Sequence, residues 1–207
     1  MNCHFISQLI SLNQLPQVFK EKKIQALTKL EQAITENKAD EEILSLVHKI
    51  NSFDKYYTTS SCAGRFVILS KNSFRGKYTS RFVFKTHSPP VELKDIREAL
   101  KEPFEGHLYI NVEPPTLHIG CDSLESAITL HQLAIDSGVG YSMFKTIKKT
   151  IIVEVRGTGS LQIPIGKQNV IYPTTEYLDY ILELSNEILT SEQARIKIFE
   201  EALTKLK

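Results

Sequence analysis

A chain of 207 residues with 42% hydrophobic content can bury a proper core, and one compact α+β domain over residues 1–207 is expected. Its 25 basic and 24 acidic residues leave a net charge of +1, so no bulk field announces nucleic acid, membrane or an acidic partner; any such contact must be a local patch. Cys3, Cys62 and Cys121 are odd in number and widely spaced, which argues against a disulfide framework.

No apolar run approaches the roughly 18 residues that span a bilayer, and Met1–Phe5 lacks the basic and apolar pattern of a signal peptide, so a cytoplasmic protein is predicted. Residues 5–36 then carry Phe19, Ile24, Leu27, Leu30 and Ile34 on one helical stripe. Lys20, Lys22, Lys23 and Lys29 take much of the other face, where a solvated surface is the ordinary reading. Asp40 is placed as the N-cap of a second helix, Asp40 to Asn51, with Glu41 and Glu42 in its first turn.

The densest polar stretch follows: Tyr56-Tyr57-Thr58-Thr59-Ser60-Ser61-Cys62-Ala63-Gly64-Arg65. Two readings stand, a Thr- and Ser-rich turn feeding a strand and a loop that holds a polar ligand with short donors beside a fixed positive charge. Beyond it, Arg65 to Leu69 and Arg81 to Thr86 read as a strand and its partner, joined by a polar connection from Ser70 through Gly76. Pro89-Pro90 ends the pairing. A helix over Leu93 to Lys101, strands over His107 to Val112 and Thr116 to Gly120, and a helix over Leu124 to Ser137 capped by Asp122 or Ser123 and stopped by Gly138 come next.

Thr150 to Arg156 and Leu161 to Pro164 read as strands joined by a tight hairpin at Gly157-Thr158-Gly159-Ser160; this segment lacks the lysine and helix start of a phosphate loop. A final helix runs from Thr174 through Ile188, with a second piece from Ser191 to Lys205. The order of helices, strands, helix, strands and helices predicts an α+β fold with a mixed or antiparallel sheet flanked by helices, not βαβ alternation. A weak likeness between Tyr57 to Leu69 and Tyr141 to Val155 suggests two pseudo-repeated halves.

Polar side chains at strand ends and turns are the candidates for a site: the Thr58 to Arg65 stretch, His87, Glu113, and His118 with Cys121. A hydrolase would pair Ser60 or Ser61 with His87 and Asp54, but no nucleophile elbow surrounds either serine. A zinc site would collect Cys3, His4, Cys62, His118 and Cys121, yet no paired ligand motif exists, and no metal is expected. Lys145, Lys148 and Lys149 form the sharpest basic cluster, with Tyr141 and Phe144 nearby; a solvated connection and an RNA-binding edge are its two readings.

The Tyr56 to Arg65 stretch resembles the signature of the third wybutosine-synthesising protein family, whose members usually read Ser-Ser-Cys-Ser-Gly-Arg where this chain has Ala63 in place of the serine that follows the cysteine. Further matches follow in order: Phe84 to His87, Leu108 to Val112 with Glu113-Pro114-Pro115, Leu117-His118-Ile119, Ser123 to Ala127, Pro164-Ile165-Gly166, and Tyr177-Leu178 before Ser185-Asn186. Ser142-Met143-Phe144 stands where relatives more often carry Ser-Gly.

The resemblance implies an S-adenosylmethionine-dependent methyltransferase of non-Rossmann fold. It would act on N4 of 7-(3-amino-3-carboxypropyl)-4-demethylwyosine beside the anticodon of tRNA-Phe, gripping the anticodon stem-loop. On that reading Ser60, Ser61 and Arg65 hold the cofactor, and His87 or His118 takes the departing proton or orients the base. Tyr57, Glu113, Tyr141, Lys145, Lys148 and Lys149 bind the RNA. The competing reading is a tRNA-binding scaffold of the same pathway that binds no S-adenosylmethionine.

Overall fold

The computed structural model of the chain describes residues 3–72 and 80–206, with side chains from residue 16 onward. The polar connection expected over Ser73 to Gly76 and the zinc candidates Cys3 and His4 therefore lie outside the described residues or side chains. Two compact units emerge. Unit 1 holds residues 1–62, 116–157 and 195–207, and unit 2 holds residues 63–115 and 158–194.

Unit 1 is built on the four-stranded sheet β1-β5-β7-β6, in which β1 spans Tyr56–Cys62, β5 Thr116–Cys121, β6 Tyr141–Ile147 and β7 Ile151–Arg156. Period-2 alternation divides its faces. Leu117, Ile119 and Cys121 of β5 and Ile151, Val153 and Val155 of β7 are buried on one face. Two helices supply matching apolar residues: α2 (Glu41–Ser52) buries Ile43, Leu46, Val47 and Ile50, and α4 (Leu124–Asp136) buries Ala127, Leu130 and Ala134. Tyr56 ties this layer together, its hydroxyl donating to the Ser126 carbonyl of α4 at 2.9 Å. The opposite face is polar in the middle, where Ser60, His118 and Glu154 lie side by side on β1, β5 and β7. Along the same face α1 (Cys3–Thr35) packs Phe19 edge-on against Tyr57 at 5.2 Å.

The caps follow the sequence chemistry in part. Ser123 is the N-cap of α4, accepting from the Ser126 amide at 3.1 Å, and Gly138 closes that helix with φ +77°. Asp40 holds the N-cap position of α2 without a side-chain cap bond.

Unit 2 contains the five-stranded sheet β3-β2-β4-β8-β9, with β2 Arg65–Lys71, β3 Ser80–Thr86, β4 His107–Glu113, β8 Leu161–Lys167 and β9 Val170–Ile171. Its core gathers Phe66, Ile68, Leu108, Ile110 and Ile165 with Ile96 of α3 (Leu93–Ala99) and Leu178, Ile181 and Leu182 of α5 (Thr175–Ala202). Asn186 locks the approach to α3, accepting from the Val91 amide at 2.8 Å and donating to its carbonyl at 3.0 Å.

Every strand pairing among the described residues is antiparallel, so the α+β expectation holds and no Rossmann-type parallel sheet is present among them. Four local expectations are corrected. The Tyr56 stretch is a strand through Cys62, not a loop. Residues 141–147, read as a solvated connection or an RNA-binding edge ahead of the strand at Thr150, form β6. β7 and β8 belong to different sheets, so Gly157–Ser160 is a connection between sheets and not a hairpin; there the Gly159 amide donates to Glu192 at 2.7 Å. The supposed repeat also fails in topology, because β6 and β7 pair in one sheet whereas β1 and β2 lie in different sheets.

Candidate functional site

In unit 1 two β-bulges shape the polar face. Along β1 the register with β5 slips between Thr58 and Ser60, so Thr58 lies opposite Ile119 and Ser60, rather than Thr59, lies opposite His118. Along β6 the register with β7 slips between Phe144 and Thr146, which leaves Lys145 as the extra residue. Bulges re-aim side chains, and each of these turns one toward His118. The Ser60 hydroxyl lies 2.6 Å from His118 Nδ1, and His118 Nε2 lies 2.7 Å from a Glu154 carboxylate oxygen and 2.7 Å from Lys145 Nζ. Lys145 also reaches the same Glu154 oxygen at 3.2 Å.

Glu154 and His118 are mostly buried, with side chains 14% and 21% exposed, while Lys145 is half-exposed. Burial opposes ionisation of the Glu154 carboxylate, but the hydrogen bonds and charges of His118 and Lys145 outweigh it and hold the group below its ordinary value. Glu154 was not among the sequence candidates. Its signal was a lone acid inside the apolar run Ile151-Ile152-Val153-Glu154-Val155, which on a strand must face away from the core.

Ser60 belongs to a second feature as well. With Thr58, Thr59 and Ser61 it lines a cavity of about 210 Å³, walled otherwise by Lys29, Leu30 and Ala33 of α1 and by Lys38 to Asp40. The lysine face of α1, expected to be merely solvated, thus contributes Lys29 to a cavity wall. Lys23 of the same face turns inward to the Phe53 carbonyl, and burial lowers its pKa against the opposing charges of Asp54 and Asp122.

Unit 2 holds a separate group. Arg65 and Glu113 face each other across β2 and β4, and Arg65 Nε donates to the Glu113 carboxylate at 2.6 Å while its guanidinium covers the Phe82 ring at 5.2 Å. Gly64, at φ +83°, sits so close to Pro115 and the Glu113 carbonyl that a Cβ would meet them at 2.9–3.0 Å. The Gly-Arg and Glu-Pro-Pro motifs are therefore two sides of one contact. His87 Nδ1 approaches the Gly64 carbonyl at 2.8 Å, and the His87 carbonyl accepts from Gln193.

The sequence candidates therefore fall into distinct places. Ser60, His118 and Lys145 come together in unit 1, where Ser61 shares only the cavity wall with Ser60, and Arg65, Glu113 and His87 lie in unit 2. Tyr141 opens the edge strand β6 at 41% exposure, and Lys148 and Lys149 are exposed in the turn after it. Tyr57 is corrected from a stacking residue to a core one: it is 2% exposed, its ring seated on Gly120 and against Phe19, with no face left for a base. His118 and Cys121, which a zinc reading would join, stand three apart on one strand and so point to opposite faces. Cys121 is buried, and burial followed by the Asp122 charge pushes its thiol up to about 12.

The same architecture recurs in known proteins. A model of the family described as Methyltransferase TYW3 matches residues 20–205. A Pyrococcus furiosus protein named tRNA(Phe) 7-((3-amino-3-carboxypropyl)-4-demethylwyosine(37)-N(4))-methyltransferase 2 is 37% identical over 185 residues, 89% of each chain. The solved structure of the PH1069 protein from Pyrococcus horikoshii superposes with a TM-score of 0.85 at 35% identity, covering 91% of this chain and 97% of that one. A hypothetical protein from Aeropyrum pernix shares the fold at 23% identity, with a TM-score of 0.69 over 81% of this chain and 98% of its own. With the motif, the superposed fold and nearly full-length matches in agreement, this chain belongs to the TYW3 methyltransferase family.

Proposed function

We propose that this protein transfers a methyl group from S-adenosylmethionine to N4 of 7-(3-amino-3-carboxypropyl)-4-demethylwyosine beside the anticodon of tRNA-Phe. The relatives' names supply the substrate. The observation that carries the reading is Ser60, which lines a cavity and whose hydroxyl reaches His118. At about 210 Å³ the cavity is smaller than the roughly 300–1,000 Å³ of whole-ligand pockets, which suits one end of the cofactor. Its donor set fits a zwitterionic amino-acid tail: Lys29 and the Ser61 hydroxyl suit a carboxylate, and Asp40 suits an ammonium.

Bound S-adenosylmethionine supplies a methyl already activated on a sulfonium sulfur, the C–S electron pair leaving with the thioether. The chain aligns the ring nitrogen with that methyl, excludes water, and takes the proton that N4 sheds as its lone pair forms the new N–C bond. Ser60 accepts that proton from the cavity side and passes its own to His118 Nδ1. Tyr141 offers an exposed ring to an unstacked base, and Lys148 and Lys149 offer charge to the anticodon-loop phosphates.

Calorimetry tests the cofactor site: saturable S-adenosylmethionine binding by the wild type, weakened at least about tenfold in Ser61→Ala, is expected. Binding of tRNA without any binding of S-adenosylmethionine, with or without the RNA present, would establish the scaffold reading instead. For the proton step, His118→Ala should lower kcat by about 10²-fold or more. An unchanged kcat there together with a loss in His87→Ala would move the acceptor to His87, whose Nδ1 is already engaged by Gly64.

A further inference from the structure

The contacts at His118 Nε2 cannot all be hydrogen bonds at once. An ionised carboxylate can only accept and an ammonium can only donate, yet Glu154 and Lys145 each lie 2.7 Å from this one nitrogen. In one tautomer of the neutral ring, Nε2–H donates to Glu154 and Nδ1 is left bare to accept from the Ser60 hydroxyl. In the other, Nε2 accepts from Lys145 and Nδ1–H donates to Ser60. The direction of the Ser60 hydrogen bond therefore reverses with the partner that wins at the far side of the ring.

We propose that Glu154 is a positioning residue for methyl transfer, holding His118 in the tautomer whose Nδ1 can take a proton through Ser60, and that Lys145 competes for the same ring nitrogen and holds the opposite tautomer. This rests on the proton route assigned to Ser60 and His118 above. In the Glu154-bonded form the Ser60 oxygen donates to Nδ1 and keeps its lone pairs to accept, so a proton can leave N4 for Ser60 while the Ser60 proton passes to Nδ1. The ring ends as an imidazolium, which the adjacent carboxylate stabilises. In the Lys145-bonded form Nδ1 already carries its proton and the route is closed. An RNA phosphate that draws the half-exposed Lys145 outward opens it, so substrate binding and base competence are linked at one residue.

Among the described residues the charged groups in contact with the ring are Glu154 from β7 and Lys145 from β6. Arg156 lies two residues along the same face of β7, and beyond Ser60 the cavity wall adds Lys29, Lys38 and Asp40. Both principal groups act on the ring in opposite senses. The carboxylate favours the imidazolium and the ammonium opposes it.

The test is 15N NMR of the His118 ring across pH in the full-length wild type, Glu154→Gln and Lys145→Met, with kcat measured over the same range. Ring 15N shifts report which nitrogen carries the proton. Lys145→Met, on an exposed edge strand, should shift the neutral ring toward the Nε2–H tautomer and raise its titration midpoint by about one pH unit or more. Glu154→Gln should lower the midpoint by a similar amount, move the acid limb of kcat to lower pH with it, and lower the plateau at least about tenfold. Identical tautomer populations and midpoints in the three proteins would overturn the proposal. So would a Glu154→Gln plateau that falls while the limb stays in place, since that marks mere support of the fold. If the wild type transfers no methyl group, the functional reading falls on its own and the NMR midpoints still decide whether the two side chains govern the ring.

Discussion

Tyr57 and Gly120 show how a single contact assigns a residue its task. An added Cβ at Gly120 would lie 2.3 Å from the Tyr57 ring, so the glycine exists to let that ring lie flat on β5. Gly120→Ala is expected to cost about 1–3 kcal/mol in urea unfolding, and an unchanged midpoint would show that the ring can slide aside. The sequence marked Tyr57 as an aromatic beside a polar run but could not say which way it faced, because the facing of every residue in β1 depends on a bulge that leaves no residue-type signature. Ser60 was legible as a candidate through the family motif; its pairing with His118 was not, for the same reason. Glu154 was hidden further, since a lone acid in an apolar strand acquires meaning only from what neighbouring strands place beside it. Arg65 and Glu113 were each chosen, yet for ligands, and they meet each other across two strands.

At the level of elements, α4 and β1 are joined through Tyr56, whose hydroxyl is buried and pushed up to about 12, chiefly by burial. In the unfolded chain this group titrates near 10. The folded value is raised, so the stability it contributes is complete below about pH 10 and is lost as pH climbs toward 12. The buried Cys121 thiol acts in the same sense, beginning nearer pH 9. Tyr56→Phe should therefore lose about 1 kcal/mol at neutral pH and show a shallower alkaline decline in denaturant unfolding; an equally steep decline would assign it to other groups. Most helices and strands could be read from periodicity, because each buries one face on a core. The exceptions share a cause. β6 alternates only half-buried and exposed side chains, and the Gly157–Ser160 segment has hairpin residues but joins strands of different sheets, a matter of topology that no local pattern encodes.

For the whole molecule, near-zero net charge means that affinity for RNA must come from a patch and must weaken with salt. Replacing both Lys148 and Lys149 with alanine should lower the log–log salt slope of tRNA binding by about 1–2 while leaving S-adenosylmethionine affinity unchanged; fluorescence anisotropy across a salt series reads the first and calorimetry the second. A slope equal to the wild type's would remove these lysines from the RNA face. The α+β class and the family were legible from the ordered motifs, which run through nearly the whole chain. The two-sheet division was not, because each Pro or Gly connection between sheets looks locally like a turn within one. The most direct measurement of the central claim is mass spectrometry of the modified base after the protein is incubated with S-adenosylmethionine and tRNA-Phe carrying the aminocarboxypropyl demethylwyosine. Wild type should add one methyl group at N4, and Ser60→Ala should lose that transfer at undiminished RNA affinity. RNA bound tightly by the wild type but recovered without a methyl group would contradict it.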